Sequence, residues 1–202
     1  MRPLRVIVYD RTCTGWPGLT HAWRAGGALY DLLGRTDAVL GAATWVEALD
    51  WLADHQPGRP LAEVQYWGHG NWGCARLGGE VLDRRALQPG HPLHERLRAL
   101  AARLRPLDDG LFWFRTCETF GSAAGLAFAQ AWTRFLGCRT AGHTYVIGFW
   151  QSGLHSLAPG QAPIWSSSEG LPPTADPPAA LRSRPGAPHT ITCLHGAVPA
   201  GF

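Results

Sequence analysis

Residues 61–70 read LAEVQYWGHG, and this stretch decides how the rest of the chain is interpreted. A short apolar run ends there in Gly-His-Gly, and such a run is typical of a strand buried on both faces of a parallel sheet. Residues 4–9 (LRVIVY) and 111–115 (LFWFR) have the same character, and residues 38–40 and 139–141 are weaker strand candidates. The sequence therefore predicts a buried sheet built from these five segments.

Segments with apolar residues at helical spacing separate the predicted strands. Thr44 followed by Glu47 forms a capping box, which predicts the start of one helix, and Gly34 predicts the end of another. The predicted helices cover residues 19–33, 44–55, 92–104 and 121–136. Because strand and helix alternate from residue 4 to about residue 142, we expect an α/β fold with a mostly parallel sheet flanked by helices.

The C-terminal part of the chain differs in composition from the rest. The chain has 202 residues, the size of one domain with a short tail. Residues 1–158 are predicted to form the α/β domain, and residues 159–202 an irregular Pro-rich arm that packs on the same domain. Within the arm, residues 190–194 (TITCL) predict an edge strand. A hairpin centred on residues 77–79 is expected after the third strand.

Charge and cysteine content exclude several classes of function. All 18 basic residues are arginine, so chemistry that needs a lysine, such as a Schiff base or a Walker A phosphate site, is excluded. The arginines are scattered along the chain, and we therefore expect no nucleic-acid partner. The five cysteines include no CxxC pair, so we expect neither a disulfide framework nor a zinc site, and no cofactor is predicted.

The apolar segments are short. None reaches the roughly 18 residues of a membrane-spanning helix, so no membrane partner is expected. Residues 1–10 lead into a strand pattern without the charged and apolar regions of a signal peptide, which predicts the cytoplasm as the compartment. The oligomeric state is left open by the sequence.

The residues that follow the third and fourth strands suggest a catalytic site, because sites of parallel sheets lie at the carboxyl ends of the strands. His69 follows the third strand and Cys117 the fourth. Neighbouring strands lie about 5 Å apart, so the two side chains are expected side by side, as a nucleophilic thiol and its base. The helix that begins near Gly121 is predicted to lower the pKa of Cys117. The N–H groups of Gly70 and Cys117 are predicted to form an oxyanion hole.

Less specific interpretations stay open for the same residues. A cysteine after a buried strand is often a core residue, and a histidine beside glycine is often a turn residue. Residues 68–73 also fit the pattern G-x-G-x-x-G, which leaves a flavodoxin-like nucleotide binder as an alternative. That pattern should open a helix after the first strand of a domain, whereas here a hairpin is predicted after the third.

The two motifs resemble those of caspase-like cysteine peptidases, the clan that includes caspases, legumain, gingipains and separase. The histidine motif is YWGHG at residues 66–70, and the cysteine motif is TCETFGS at residues 116–122, closest to the Cys-Glu-Ser-Gly type of legumain-like members. The resemblance covers roughly residues 4–142. It implies a caspase-like three-layer sandwich and a cysteine endopeptidase, with Cys117 as nucleophile and His69 as general base.

The resemblance also implies residues that bind a peptide substrate. In several members of the clan, the position two before the cysteine and a residue just after the first strand line the pocket for the P1 side chain. These positions are Arg115 and Arg11 here, which predicts an acidic P1 residue, since arginine forks bind carboxylates. Alternatively, Arg115 is buried against an acid such as Glu118 or Asp10. The predicted substrate-binding residues are therefore these two acids together with Arg115 and Arg11.

Departures from the family pattern support a second interpretation. The chain lacks the Gln-Ala-Cys-x-Gly motif of caspases and an aspartate-rich processing linker after the cysteine helix. A catalytically inactive caspase-like module, which binds a protein partner or a peptide through the same cleft, is therefore the alternative to a peptidase. Exposed aromatic residues in loops and the Pro-rich arm would suit such an interface.

Overall fold

The computed structural model describes residues 2–15, 18–104, 109–173 and 179–202. Its strands, in chain order, are β1 (Leu4–Asp10), β2 (Ala38–Ala42), β3 (Leu61–Trp67), β4 (His69–Asn71), β5 (Cys74–Leu77), β6 (Glu80–Leu82), β7 (Leu111–Arg115), β8 (Arg139–His143), β9 (Trp150–Gln151), β10 (Leu154–Leu157) and β11 (Ile191–Thr192). Its helices are α1 (Leu19–Leu32), α2 (Trp45–Asp54), α3 (His94–Leu104) and α4 (Ser122–Leu136), and a short 3-10 helix covers Arg84–Leu87.

A six-stranded sheet forms the centre of the fold, in the order β2-β1-β3-β7-β8-β10. Neighbouring strands pair in parallel, except that β10 runs antiparallel to β8. The α/β architecture with a mostly parallel sheet, predicted from the alternation of strands and helices, is confirmed. The predicted third and fourth strands, β3 and β7, are neighbours, and their last residues Trp67 and Arg115 lie opposite each other.

Layers cover both faces of the sheet. On one face, α2, α3 and α4 pack in the main core, where Phe112 and Phe114 of β7 contact Trp132 of α4. The alternate residues of β7 point to the other face, where Trp113 packs with Ile191 and Val198 of the C-terminal segment. On that face α1 contributes Tyr30, which packs edge-on against Trp67. The alternation of side chains along a strand thus places the C-terminal segment beside α1.

The local signals in the sequence locate most of the elements. Thr44 accepts a hydrogen bond from the Glu47 N–H at 3.1 Å and caps α2, as the capping box predicts. The predicted hairpin is present as β5 and β6, which pair through Leu77 and Glu80, and β4 extends it to three antiparallel strands. Among the described residues no helix is both long and apolar enough to cross a membrane.

The C-terminal part needs corrections. The strand at the edge of the central sheet is β10, which the sequence did not predict, because LHSL is short and polar at its centre. The edge strand predicted at residues 190–194 is only the two residues of β11, and it pairs with β9 rather than with the central sheet. Residues 174–178 of the predicted arm lie outside the described part of the chain.

Candidate active site

A cavity of about 420 Å³ opens at the carboxyl ends of β3 and β7. This is the edge at which open parallel sheets bind ligands. Trp67 and Arg115 line it from the sheet, and α1 forms one wall. Residues 147–149, which follow β8, and residues 193–194, near the C-terminus, form the remaining walls. The cavity is therefore closed by parts of the chain that are far apart in sequence.

His69 and Cys117 both line this cavity, as their positions after two neighbouring strands predict. The loop around Cys117 touches the Gly-His-Gly turn directly. A Cβ atom built on Gly70 would lie only 2.6 Å from the Cys117 carbonyl oxygen and 2.8 Å from the Thr116 Cβ. Contacts this short exclude a side chain, so glycine at this position allows the two motifs to meet.

The thiol of Cys117 is half-buried, and its surroundings oppose ionisation. Its nearest hydrogen-bond acceptor is the Ile147 carbonyl oxygen, at a long 3.9 Å. Burial raises the pKa of the Cys117 thiol and the charge of Glu118 raises it further, whereas backbone hydrogen bonding at Ile147 opposes these effects. The prediction that the following helix lowers this pKa is therefore wrong. The helix begins where the sequence predicts, with Gly121 as its N-cap, but desolvation of the thiol is the largest influence on this pKa and raises it.

His69 lies at the solvent-exposed side of the cavity. Its ring stands edge-on to the Trp23 ring of α1, with 5.6 Å between the ring centroids and 77° between the planes. Its backbone pairs with Arg76 in the hairpin, which fixes the position of the residue at the start of β4. Within the described part of the chain, no group hydrogen-bonds to the imidazole nitrogens, so both remain available to a substrate, to water or to the thiol.

The guanidinium of Arg115 is buried and saturated with hydrogen bonds. Its Nε and one terminal nitrogen donate to Gln151 Oε1, at 3.2 and 2.8 Å, and the same terminal nitrogen donates to the Cys193 carbonyl at 3.0 Å. The other terminal nitrogen donates to the Tyr30 hydroxyl at 2.6 Å, to the His195 carbonyl at 3.2 Å and to Gln65 Oε1 at 3.3 Å.

These contacts use all five N–H donors of Arg115 on neutral acceptors. Aromatic rings add to them, since the guanidinium carbon lies 4.5 Å from the Trp113 ring centroid and 5.3 Å from that of Trp67. No carboxylate of the described residues hydrogen-bonds to this guanidinium, so burial against Glu118 or Asp10 is not what the structure contains. Desolvation lowers the pKa of Arg115, although an arginine stays charged at any physiological pH.

Three other residues of the predicted substrate-binding set lie elsewhere. Arg11 is not among the residues that line the cavity, and its guanidinium pairs with Glu47 at 2.9 Å, beside the start of α2. Asp10 accepts hydrogen bonds from the N–H groups of Thr12, at 2.7 Å, and of Gly78, at 3.2 Å. This carboxylate therefore holds the hairpin against the end of β1.

Glu118 follows the nucleophile candidate directly and has an unusual conformation. Its φ of 44° lies in the left-handed region, and its N–H donates to the Tyr145 carbonyl at 2.9 Å, which anchors the loop. Its Oε2 is buried without a hydrogen-bond partner in the described residues, and burial raises the pKa of the carboxyl. Glu118 therefore orients the loop through its backbone, while its charge opposes formation of a thiolate at Cys117.

Several residues of the cavity could not be recognised from sequence patterns. Gln151 and Cys193 hold Arg115 but come from short segments without clear periodicity, whereas Tyr30 was visible only as part of an amphipathic helix. The glycine motif at residues 68–73 leads into β4 and β5, so no helix N-terminus is present there to hold a phosphate.

The potential for metal binding and the relation to known proteins give no further guidance. Among residues 2–15, 18–104, 109–173 and 179–202, no three His, Cys, Asp or Glu side chains are grouped as a metal site requires. No protein-family model, curated protein or solved structure matches the chain. The resemblance to caspase-like peptidases therefore rests on the two motifs and on their place in the chain.

Proposed function

We propose that the protein is a caspase-like cysteine endopeptidase, with Cys117 as the nucleophile and His69 as the general base. One observation carries this proposal. The two side chains line the same cavity at the carboxyl ends of adjacent parallel strands, and Gly70 brings the two loops into contact. A thiol, an imidazole and a concave binding surface are the parts that acyl transfer through a covalent intermediate needs.

The raised pKa of Cys117 indicates the order of the proton transfers. Because the thiol is protonated at neutral pH, His69 accepts its proton as the sulfur attacks the carbonyl carbon of the peptide. The C–N bond then breaks, and the imidazolium returns the proton to the leaving amine. Water, deprotonated by His69, hydrolyses the thioester and restores the thiol. The N–H groups of Gly70 and Cys117 are the proposed donors to the oxyanion.

A peptide-library assay with three variants tests this proposal. Cys117→Ala should abolish cleavage, and His69→Ala should lower kcat/KM by about 10²- to 10⁴-fold, the usual contribution of a general base. Cys74→Ala is the matched control, because Cys74 is also a half-buried cysteine but does not line the cavity. It should cleave like the wild type. Cleavage that survives Cys117→Ala would contradict the proposal.

The second candidate is the inactive caspase-like module that binds a protein partner or peptide in the same cavity. In the described part of the chain, the Cys117 thiol contacts the Ile147 carbonyl, and neither nitrogen of His69 hydrogen-bonds to it. This arrangement favours the second candidate, because a nucleophilic thiol needs its base within hydrogen-bond reach. This candidate predicts peptide binding without cleavage, and binding that Cys117→Ala leaves unchanged. The same set of proteins, measured by calorimetry with the library peptides, separates the two candidates.

A further inference from the structure

The rim of the cavity carries apolar side chains that remain exposed to solvent. Four residues that line it are both large and exposed: Leu19 (45%), Leu29 (38%), Phe149 (56%) and Leu194 (48%). Apolar residues scattered singly over a surface need no explanation, but a group that converges on one concavity marks a binding site. Trp23 and Ile147 also belong to the apolar lining, and the Ile147 carbonyl lies against the Cys117 thiol.

The one cation of the lining is Arg115, as far as the described residues extend, and it has no donor to offer. Each of its N–H groups already bonds to the protein, to Gln151, Tyr30 and the carbonyls near the C-terminus among others. A ligand carboxylate would have to displace these acceptors and would lose its water against an apolar wall, which is costly. Arg115 therefore holds the base of the cavity together rather than binding an acidic side chain.

The size of the cavity suits a large apolar group. Its volume is about 420 Å³. An apolar cavity of about 150 Å³ is sufficient to hold benzene, so an aromatic side chain with its backbone attachment fits here. Trp23 and Trp67 both line the cavity, so a ring that enters it meets aromatic surface.

We infer that this cavity binds a large apolar side chain, an aromatic one best of all, from the residue whose carbonyl Cys117 attacks. The inference rests on the proposed function for the bond that is cleaved, but the preference itself belongs to the cavity. It replaces the acidic P1 preference, which was assigned to Arg115 and Arg11. Arg115 is saturated with internal hydrogen bonds, and Arg11 does not line the cavity but pairs with Glu47.

Peptide substrates that differ only in this residue measure the preference. The series is Phe, Leu, Ala and Asp, in a peptide that the library identifies as cleaved. We expect kcat/KM for Phe to exceed that for Ala by about 100-fold, the range that a hydrophobic pocket provides, and Asp to be no better than Ala. A preference for Asp would overturn the inference and restore the acidic P1 prediction.

Two alanine positions on α1 provide a matched pair of variants. Ala22 lines the cavity, whereas Ala28 is exposed on the same helix and does not line it. Ala22→Phe fills part of the cavity. It should reduce the ratio of kcat/KM for the Phe substrate to kcat/KM for the Ala substrate at least tenfold. Ala28→Phe adds the same group to the same helix and should leave the ratio unchanged. Equal effects of the two variants would contradict the assignment of the pocket.

A binding measurement separates failure of the inference from failure of the proposed function. Cys117→Ala protein is titrated with acetylated tetrapeptide amides ending in Phe or Asp, and tryptophan fluorescence reports on Trp23 and Trp67. If no peptide is cleaved but the Phe peptide binds, and Ala22→Phe abolishes that binding, the peptidase proposal fails and the pocket assignment stands. If peptides are cleaved without preference for Phe and without a response to Ala22→Phe, the pocket assignment fails alone. Absence of both cleavage and binding overturns both.

Discussion

At the scale of single residues, desolvation outweighs the other influences on the candidate nucleophile. Cys117 follows a buried strand and precedes a helix, and the sequence therefore suggests an activated thiol. The structure places it among apolar walls beside Glu118, and burial raises the pKa of its thiol. His69 is not among the groups that shift this pKa. The imidazole is therefore expected to act during the reaction, not to form an ion pair with the thiolate beforehand.

The pH dependence of alkylation tests this arrangement. Because the pKa of Cys117 is raised, iodoacetamide should label it slowly at pH 7, and the rate should keep rising above pH ~8.5, the usual thiol midpoint. His69→Ala should leave this profile unchanged although it impairs cleavage. Site-by-site mass spectrometry measures the rates, with a short cysteine peptide as the reference. A midpoint near pH 6 that disappears in His69→Ala would instead indicate a thiolate–imidazolium pair.

At the scale of elements, the contact between the hairpin and the cysteine loop is what assembles the site. β4 and the loop after β7 lie on separate segments of the chain, and Gly70 lies against the loop. The Gly73 N–H also donates to the Thr119 carbonyl at 3.0 Å, and the Thr119 hydroxyl donates to the Cys74 carbonyl at 3.2 Å. The Asp10 carboxylate holds the same hairpin from the other side through the Gly78 N–H. The hairpin is thus fixed at both ends, and the place of His69 relative to Cys117 follows from that.

Substitution of Gly70 tests the importance of this contact. In Gly70→Ala, the added methyl group meets the Cys117 carbonyl and Thr116. We therefore expect the free energy of unfolding to fall by about 1–3 kcal/mol, and cleavage activity to be lost as well. Gly79→Ala is the control in the same hairpin, because its Cβ would meet nothing within 4 Å. Urea unfolding of both variants gives the comparison. Equal stability of the two would show that the loops can separate at no cost.

At the scale of the whole molecule, Arg115 joins the sheet, α1 and the C-terminal segment. Its partners Tyr30, Gln151 and Cys193 are 85, 36 and 78 residues away in sequence. The C-terminal segment also packs on Trp113 through Ile191 and Val198. The hydrogen bonds of Arg115 and this apolar contact therefore hold the segment together. Residues near the C-terminus are therefore part of the cavity and not an appendage of the domain.

Removal of the Arg115 guanidinium should make the C-terminal segment open more readily. Arg115→Met keeps an apolar stem but leaves the buried oxygens of Gln151 and Cys193 without donors, which should cost about 3 kcal/mol or more. Amide hydrogen exchange should become faster at residues 191–195 in particular. Arg85→Met is the control, because Arg85 pairs with Asp83 on the surface, and its exchange pattern should match the wild type. Unchanged protection at residues 191–195 would contradict a structural role for Arg115.

The local and ordered features of this protein follow from its sequence alone. Short apolar runs identify β1, β3 and β7, and a longer apolar segment identifies α4, because elements that are buried on most sides must be apolar along their length. The capping box at Thr44 identifies the start of α2 in the same way. The order of strands and the rule for parallel sheets then bring His69 and Cys117 to one edge.

The contacts and the burial of these residues are determined only by the tertiary structure. The partners of Arg115, the pairing of Arg11 with Glu47 and the apolar walls of the cavity come from segments that lie far apart in the chain. The β10 strand is too short for its period to be read, and its place is fixed by pairing with β8. Desolvation of the Cys117 thiol depends on how completely those distant segments exclude water. Periodicity tells which face of an element is buried, but the packed chain alone determines which groups meet there.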